Sequence, residues 1–182
     1  LAYGHAGFAE DVIALVTRYE QEADSPDPMP LYLAATFRNR TGNYDEARRT
    51  VARAEAAARG SSFPNQLDLV PVLTRIAEVA DEPAPMAAYE LGNYYYATGA
   101  HEAAHRAWEI TVTHRPEFAT AHRNLALSCF NKRDEHDRAL EELQTAHRLA
   151  PENAQILLEL DVLHRRLGTA PARRRELLES AR

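Results

Sequence analysis

The stretch His101-Glu102-Ala103-Ala104-His105 matches the H-E-x-x-H pattern of zinc proteases. In those enzymes two histidines one helical turn apart bind the metal, and the glutamate activates a water molecule. No convincing third ligand follows this stretch, and Gly99 places His101 at the exposed start of a helix. Because the motif is only a hypothesis without its structural context, we predict no metal site and no catalytic residue here. A zinc hydrolase acting through His101 and His105 stays a distant alternative.

Cys129 is the single cysteine, so the chain has no internal disulfide. A nucleophilic cysteine needs an activating base and a lowered pKa, and the sequence gives no reason for either. Cys129 lies 34 residues after Tyr95, at the equivalent position of a repeat, and we predict a small buried core residue. Phosphate-binding glycine loops, Ser/His/Asp signatures and four-ligand metal spacings are absent from the sequence. We therefore predict that the protein is not an enzyme and uses no cofactor.

The composition is that of an ordinary globular protein, with 182 residues, 45% hydrophobic residues, 26% charged residues and a net charge of -6. The basic clusters Arg48-Arg49 and Arg173-Arg174-Arg175 lie among acidic residues, which disfavours a nucleic-acid partner. No apolar run approaches the roughly 20 residues that span a bilayer, and no signal-peptide pattern follows Leu1. We therefore expect a cytoplasmic fragment of a longer protein, without membrane contact. Its oligomeric state is not predicted.

Apolar residues recur at spacings of three and four along nearly the whole chain, which predicts helices only. Glycines at 42, 99 and 168 and prolines between the segments mark the helix ends. The predicted helices cover residues 6–22, 31–40, 44–59, 66–80, 86–98, 101–114, 119–131, 136–149, 154–167 and 171–181.

These features repeat at a nearly fixed interval. Leu91 and Leu125 are 34 residues apart, whereas Leu125 and Leu160 are 35 apart. Other pairs of equivalent residues in these repeats locate the extra residue between Cys129 and Ala139. We predict that it is inserted in the turn 131–137.

Residues 85–118 match the tetratricopeptide pattern at Leu91-Gly92, Tyr95, Ala104, Trp108 and Pro116. The chain resembles the tetratricopeptide repeat superfamily over about residues 28–181. This resemblance implies an all-α fold, a right-handed α-solenoid of antiparallel helix pairs in one domain, 1–182. Its predicted parts are a divergent repeat (28–61), a single intervening helix (62–84), two well-formed repeats (85–118 and 119–153) and a degenerate capping pair (154–182).

A narrower resemblance rests on short sequence matches. They are Phe63-Pro64-Asn65, Tyr89-Glu90-Leu91-Gly92-Asn93, Trp108-Glu109, His122-Arg123-Asn124-Leu125-Ala126, Asn131-Lys132 and Glu159-Leu160-Asp161. These segments resemble the C-terminal repeat region of large bacterial multidomain proteins with an uncharacterised β-rich N-terminal domain. The resemblance implies that the repeats hold another protein or that missing domain. An auxiliary module of a larger carbohydrate-active protein is the alternative.

In tetratricopeptide repeats the second, fifth, ninth and twelfth positions of the first helix line the inner wall, which is the binding surface. The predicted inner-wall residues are Tyr89, Asn93, Tyr96, Arg123, Leu127, Phe130, Leu158, Val162 and Arg165. Tyrosine and arginine dominate binding hot spots, so we predict a protein-binding scaffold. The same residues would also serve to pack against a neighbouring helix or against the missing domain. Their positions in the repeat do not distinguish this packing from partner binding. Too few basic residues are present for the peptide-carboxylate clamp of co-chaperone repeats.

Overall fold

A computed structural model of the chain describes residues 8–23, 27–58, 69–80 and 83–180, without the side chains of 77–79, 177 and 180. Every regular element in these ranges is helical, which confirms the predicted all-α, tetratricopeptide-like fold. Parts of the predicted segments lie outside the described residues: the helix starts at 6 and 66, the helix ends at 59 and 181, the breaks at Ser25-Pro26 and Asp81-Glu82, and Phe63-Pro64-Asn65.

The chain divides into two compact units, residues 1–98 and 99–182. The division falls inside the predicted repeat 85–118, between its two helices. The organisation into one domain over 1–182 therefore stays a prediction. Each helix in the described ranges is 10 to 14 residues long, and none of them has the length and apolar character needed to traverse a bilayer.

The described residues of the first unit form the helices α1 (Ala9–Glu22), α2 (Pro28–Arg40), α3 (Tyr44–Ala57), α4 (Leu69–Val79) and α5 (Pro85–Ala97). Helix α2 packs against α1, α3 and α4, and α5 packs against α3 and α4. The core of this unit includes the fully buried residues Leu31, Tyr32, Ala35, Ala47, Ala54, Leu73 and Ile76. Small residues on α3 let α2 approach closely, and the larger ones fill the space between the helices.

Helix α2 begins three residues earlier than predicted. The predicted start at residue 31 treated the prolines before it as helix breakers. Instead Pro28 occupies the first turn, where a missing N–H costs nothing, and Asp27 caps the helix by accepting a hydrogen bond from the Met29 N–H at 2.9 Å.

The second unit contains α6 (His101–His114), α7 (Ala119–Ser128), a π turn (Cys129–Arg133) that continues α7, α8 (His136–Leu149), α9 (Ala154–Arg166) and α10 (Pro171–Ser180). Helix α7 packs against α6 and α8, and α9 packs against α8 and α10. Its buried residues include Ala104, Trp108, Ala121, Leu125, Ala139, Leu143, Ile156 and Leu160.

The extra residue of the longer repeat lies within the predicted interval between Cys129 and Ala139, but in a helical segment and not in a turn. Gly99 and Gly168 end their helices with φ of 84° and 77°, and Asp134 takes the equivalent position with φ of 59°. Asp134 lies 35 residues after Gly99 and 34 before Gly168, so the additional residue precedes it. The π turn Cys129–Arg133 accommodates this residue because its i→i+5 hydrogen bonds hold one more residue per turn.

Candidate functional site

The second unit carries an open pocket of about 260 Å³, which we name the α7–α9 groove. The groove is lined by Ala126, Leu127, Phe130, Asn131, Leu143, Leu158, Glu159, Val162, Leu163 and Arg166. Four of these residues belong to the predicted inner wall: Leu127, Phe130, Leu158 and Val162. The register of the repeat therefore places these four residues on one surface, and partner binding by them stays a prediction.

One wall of the groove is a single face of α9. Leu158, Val162 and Arg166 follow at four-residue spacing, so their side chains project from the same side of the helix. Leu158 is 61% exposed. Complete burial of a leucine side chain is worth roughly 1.5–3 kcal/mol. Leu158 therefore offers a partner a contact that the folded chain itself leaves largely unused.

The opposite wall comes from α7 and the π turn, where Leu127 and Phe130 are half-buried. The centroids of the Phe130 and His136 rings are 4.9 Å apart, and the Arg166 guanidinium lies 5.4 Å from the Phe130 centroid. Contacts on two sides hold the aromatic ring in place. Phe130 therefore presents a fixed apolar surface with a cation over its ring.

Arg123 does not reach the groove as a free cation. Its guanidinium donates to both carboxylate oxygens of Glu159, with 2.7 Å between Nε and Oε2. Such a bidentate pair fixes the orientation of both side chains and offsets the arginine charge. Arg123 therefore joins α7 to α9 and positions Glu159 at the groove.

The other predicted inner-wall residues lie elsewhere. Arg165 is exposed on α9 but does not line the groove. Tyr89, Asn93 and Tyr96 are on α5 in the first unit; Asn93 and Tyr96 are half-buried, and Tyr89 is only 3% exposed. The assignment of Tyr89 to an open wall is corrected by this burial, because its ring is part of the packed interior.

The sequence prediction missed six lining residues: Ala126, Asn131, Leu143, Glu159, Leu163 and Arg166. Arg166 follows Val162 by one helical turn, so extending the α9 face by four residues would have found it.

The H-E-x-x-H residues do not converge on one point. The Glu102 carboxylate accepts hydrogen bonds from Arg133 Nη1 at 2.8 and 2.9 Å. His105 is buried, whereas His101 is half-buried at the start of α6. Among the described residues, His105 forms a cluster with Cys129 and Glu135 that does not include His101.

Cys129 is fully buried, as predicted. Burial raises the pKa of its thiol to about 12, so the sulfur is protonated at neutral pH. Burial also lowers the pKa of His105, which keeps the imidazole neutral. A protonated thiol beside a neutral imidazole is not an activated nucleophile.

His122 joins α7 to α8. Its Nδ1 lies 2.6 Å from a Glu142 oxygen, and its Nε2 lies 3.0 Å from the Pro116 carbonyl oxygen. Burial by itself lowers the pKa of His122, but the Glu142 carboxylate and the Pro116 carbonyl more than offset it, so the pKa is raised. With an acceptor at each nitrogen, the imidazolium form is the one that the structure stabilises.

Two solved structures of MamA, an all-helical protein of tetratricopeptide type, are similar to this chain. The MamA RS-1 ArsTM double mutant aligns with a TM-score of 0.55 and 18% sequence identity, covering 99% of this chain and 86% of that one. A crystal structure of MamA aligns with a TM-score of 0.53 and 18% identity, covering 84% of this chain and 87% of that one. At this identity the likeness shows the fold alone. No protein-family model matches the chain.

Proposed function

We propose that this chain is a non-catalytic protein-interaction scaffold and that its second unit holds an apolar segment of a partner in the α7–α9 groove. The observation that carries the proposal is the exposed leucine, Leu158, beside a concave apolar surface formed by Leu127, Phe130 and Val162. Exposed apolar patches of this kind mark interaction sites on folded proteins.

The size and chemistry of the groove favour a protein segment over a small molecule or a sugar. Pockets for drug-sized ligands enclose about 300–1,000 Å³ and bury most of the ligand surface. The groove is open to solvent and has about 260 Å³, and its polar side chains are Asn131, Glu159 and Arg166. This space suits one or two bulky apolar side chains that project from a partner. Recognition of a sugar, as in a carbohydrate-active protein, has less support.

The charges at the groove suggest which residues flank the apolar anchor in the partner. Arg166 is exposed and lies over the Phe130 ring, whereas the Glu159 charge is already offset by Arg123. A carboxylate placed one helical turn from the apolar anchor would meet Arg166. We therefore expect an amphipathic segment with leucine, methionine or phenylalanine anchors and an acidic neighbour.

The partner is either another protein or a further domain of the same polypeptide. The second possibility follows the resemblance to bacterial multidomain proteins whose repeats accompany a β-rich domain. The cytoplasm is the compartment we propose, because the one cysteine is a buried free thiol and the chain has no disulfide to require an oxidising environment.

Selection from a displayed library of random peptides against the purified chain tests the groove. Enriched peptides are expected to carry spaced apolar anchors and an acidic residue. The change Leu158→Glu should weaken their binding by about ten- to a hundredfold, the equivalent of losing the burial of one side chain of roughly 1.5–3 kcal/mol. Binding is measured by fluorescence anisotropy.

The matched control is Ile110→Glu on α6, a large exposed apolar residue of the same unit that does not line the groove. It should leave binding unchanged. Equal loss in both variants, or no loss in Leu158→Glu, contradicts binding in the groove.

A further inference from the structure

Three side chains with metal-binding atoms meet inside the second unit. His105 comes from α6, Cys129 is the first residue of the π turn, and Glu135 directly precedes α8. A ring nitrogen, the sulfur and a carboxylate oxygen all lie within 4.8 Å of one another. We propose that this cluster, the His105–Cys129–Glu135 cluster, binds a zinc-type divalent cation and joins α6 to the junction between the π turn and α8.

The donor set suits zinc. Thiolate, imidazole and carboxylate are its three common protein ligands, and water completes a tetrahedron. One thiolate and one carboxylate carry two negative charges, which match a dication and leave little net charge to bury. Metal–ligand distances of about 2.0–2.3 Å place ligand atoms about 3.4–3.6 Å apart, so the side chains need to close by about 1 Å.

His105 has a polar partner for whichever ring nitrogen does not bind the metal. Its Nδ1 lies 3.1 Å from the Ser128 hydroxyl oxygen, and its Nε2 lies 3.4 Å from a Glu109 carboxylate oxygen. Metal-binding histidines almost always have their second nitrogen held in this way, which fixes the ring orientation. The imidazole is therefore already oriented for coordination.

Glu135 contributes an oxygen that faces the Cys129 thiol and receives no N–H hydrogen bond of ordinary geometry among the described residues. Its Oε1 accepts a hydrogen bond from Arg133 Nε at 2.8 Å. Its Oε2 is buried and receives no hydrogen bond of ordinary geometry within the described ranges, and Arg138 Nη1 is 3.7 Å away. A buried carboxylate oxygen without a partner is costly. Coordination of a cation would satisfy this oxygen.

The local departures from the repeat pattern occur at this cluster. π turns occur frequently at functional sites, and the one here begins at Cys129. The Glu135 N–H donates to the Cys129 carbonyl oxygen at 3.1 Å, which connects the two ligand residues through the backbone. At the equivalent positions one repeat earlier stand Tyr95 and Ala100, neither of which is a usual zinc ligand. Cys129 and Glu135 are therefore particular to the second well-formed repeat, and His105 reaches them from the first.

Binding requires the metal to displace the thiol proton of Cys129, which leaves to solvent as the sulfur–metal bond forms. Glu135 is 31% exposed, and its side of the cluster gives the ion a route from solvent. His105 and Cys129 are enclosed by the helices, so we assign the ion a structural role.

Titration of the purified, chelator-treated chain with Co²⁺ tests this proposal, because cobalt bound to a thiolate gives a charge-transfer absorption band. We expect one Co²⁺ per chain, displaced by Zn²⁺. The change Cys129→Ser should abolish the band, and Glu135→Gln should weaken binding at least tenfold. The control is His101→Ala, which removes the other histidine of H-E-x-x-H and should retain both the band and the affinity.

Circular dichroism establishes whether each variant is folded. If Cys129→Ser does not fold, the proposal is tested with Glu135→Gln. The absence of a thiolate–cobalt band in the folded wild-type chain overturns the proposal. So does binding by Glu135→Gln with unchanged affinity. Loss of binding in His101→Ala also overturns it, since the ion would then belong to the H-E-x-x-H residues.

Discussion

Replacing Glu90 with glutamine should remove a pH-dependent loss of stability from the first unit. Glu90 lies on α5 and is only 1% exposed, and within the described residues neither carboxylate oxygen has a hydrogen-bond partner of ordinary geometry. Burial raises its pKa from 4.5 to about 8; the Asp27 carboxylate adds to the rise, and Asn93 offsets it only in part. Ionisation of Glu90 at neutral pH therefore opposes folding.

The direction in which stability changes with pH follows from which state of the chain binds the Glu90 proton. The unfolded chain releases the Glu90 proton near pH 4.5, whereas the folded chain keeps it up to about pH 8. The folded state binds more protons within this window, so stability is highest below it and falls as the pH rises through it. At 1.36 kcal/mol per unit, the loss between pH 5 and pH 7.5 is on the order of 3 kcal/mol.

Urea denaturation followed by circular dichroism measures the free energy of unfolding at these two pH values. In Glu90→Gln the free energy should fall less between pH 5 and pH 7.5 than in the wild type, by about 2–3 kcal/mol. This difference corresponds to roughly 4–12 °C in midpoint temperature for a chain of this size. Contributions of other titrating groups cancel in the comparison if those groups are distant.

Glu10→Gln is the control, because Glu10 is an exposed glutamate on α1 of the same unit. It should keep the wild-type dependence on pH. The reasoning is refuted if Glu90→Gln and the wild type lose the same free energy between the two pH values.

Three further outcomes are expected. Asp134→Gly should stabilise the chain by about 0.5–1 kcal/mol in thermal denaturation, because a left-handed backbone is strained for a residue with a side chain; a lower midpoint would contradict this. Cys129 should not react with a thiol reagent in the folded, metal-free chain, because its thiol is buried and has a raised pKa. It should react fully after denaturation. Rapid reaction of the folded protein would contradict this prediction. NMR titration should give His122 a pKa above 6.5, and Glu142→Gln should lower it, while an unchanged pKa would exclude Glu142 as a cause. The raised pKa also means that His122 contributes stability below pH 6.5 that is lost as the pH rises through its folded pKa.

The fold was predictable because local signals and the repeat agree. Gly42, Gly99 and Gly168 end helices with positive φ, and α6 has the bounds 101–114 that the sequence predicted. Helix starts were less accurate. Whether a proline such as Pro28 interrupts or begins a helix depends on the residue before it, and Asp27 supplies the cap.

The position of the extra residue could not be deduced from spacing alone. Spacing confines it to an interval, but a turn and a π-helical segment both accommodate one more residue. Asp134 distinguishes the two possibilities, because it occupies the position equivalent to Gly99 and Gly168 and marks the end of the helix. An aspartate tolerates the left-handed conformation better than most residues do.

The candidate site was predictable only where one helix face determines it. Register brought together Leu127, Phe130, Leu158 and Val162, which line one groove, and their binding to a partner stays a prediction. It did not reveal that Arg123 pairs with Glu159, 36 residues further along, because pairing across helices depends on side-chain geometry. The His105–Cys129–Glu135 cluster was likewise hidden, since helix packing and the π turn bring the three residues together.

Methyl NMR of the chain, labelled at leucine and valine, tests partner binding by the α7–α9 groove most directly. A library-selected peptide is added, and shifts of the methyl signals are followed. The account predicts that the largest shifts belong to Leu127, Leu158, Val162 and Leu163, while exposed Leu15 and Leu149 stay unchanged. Shifts confined to the first unit, or spread equally over Leu15 and Leu149, would contradict the account.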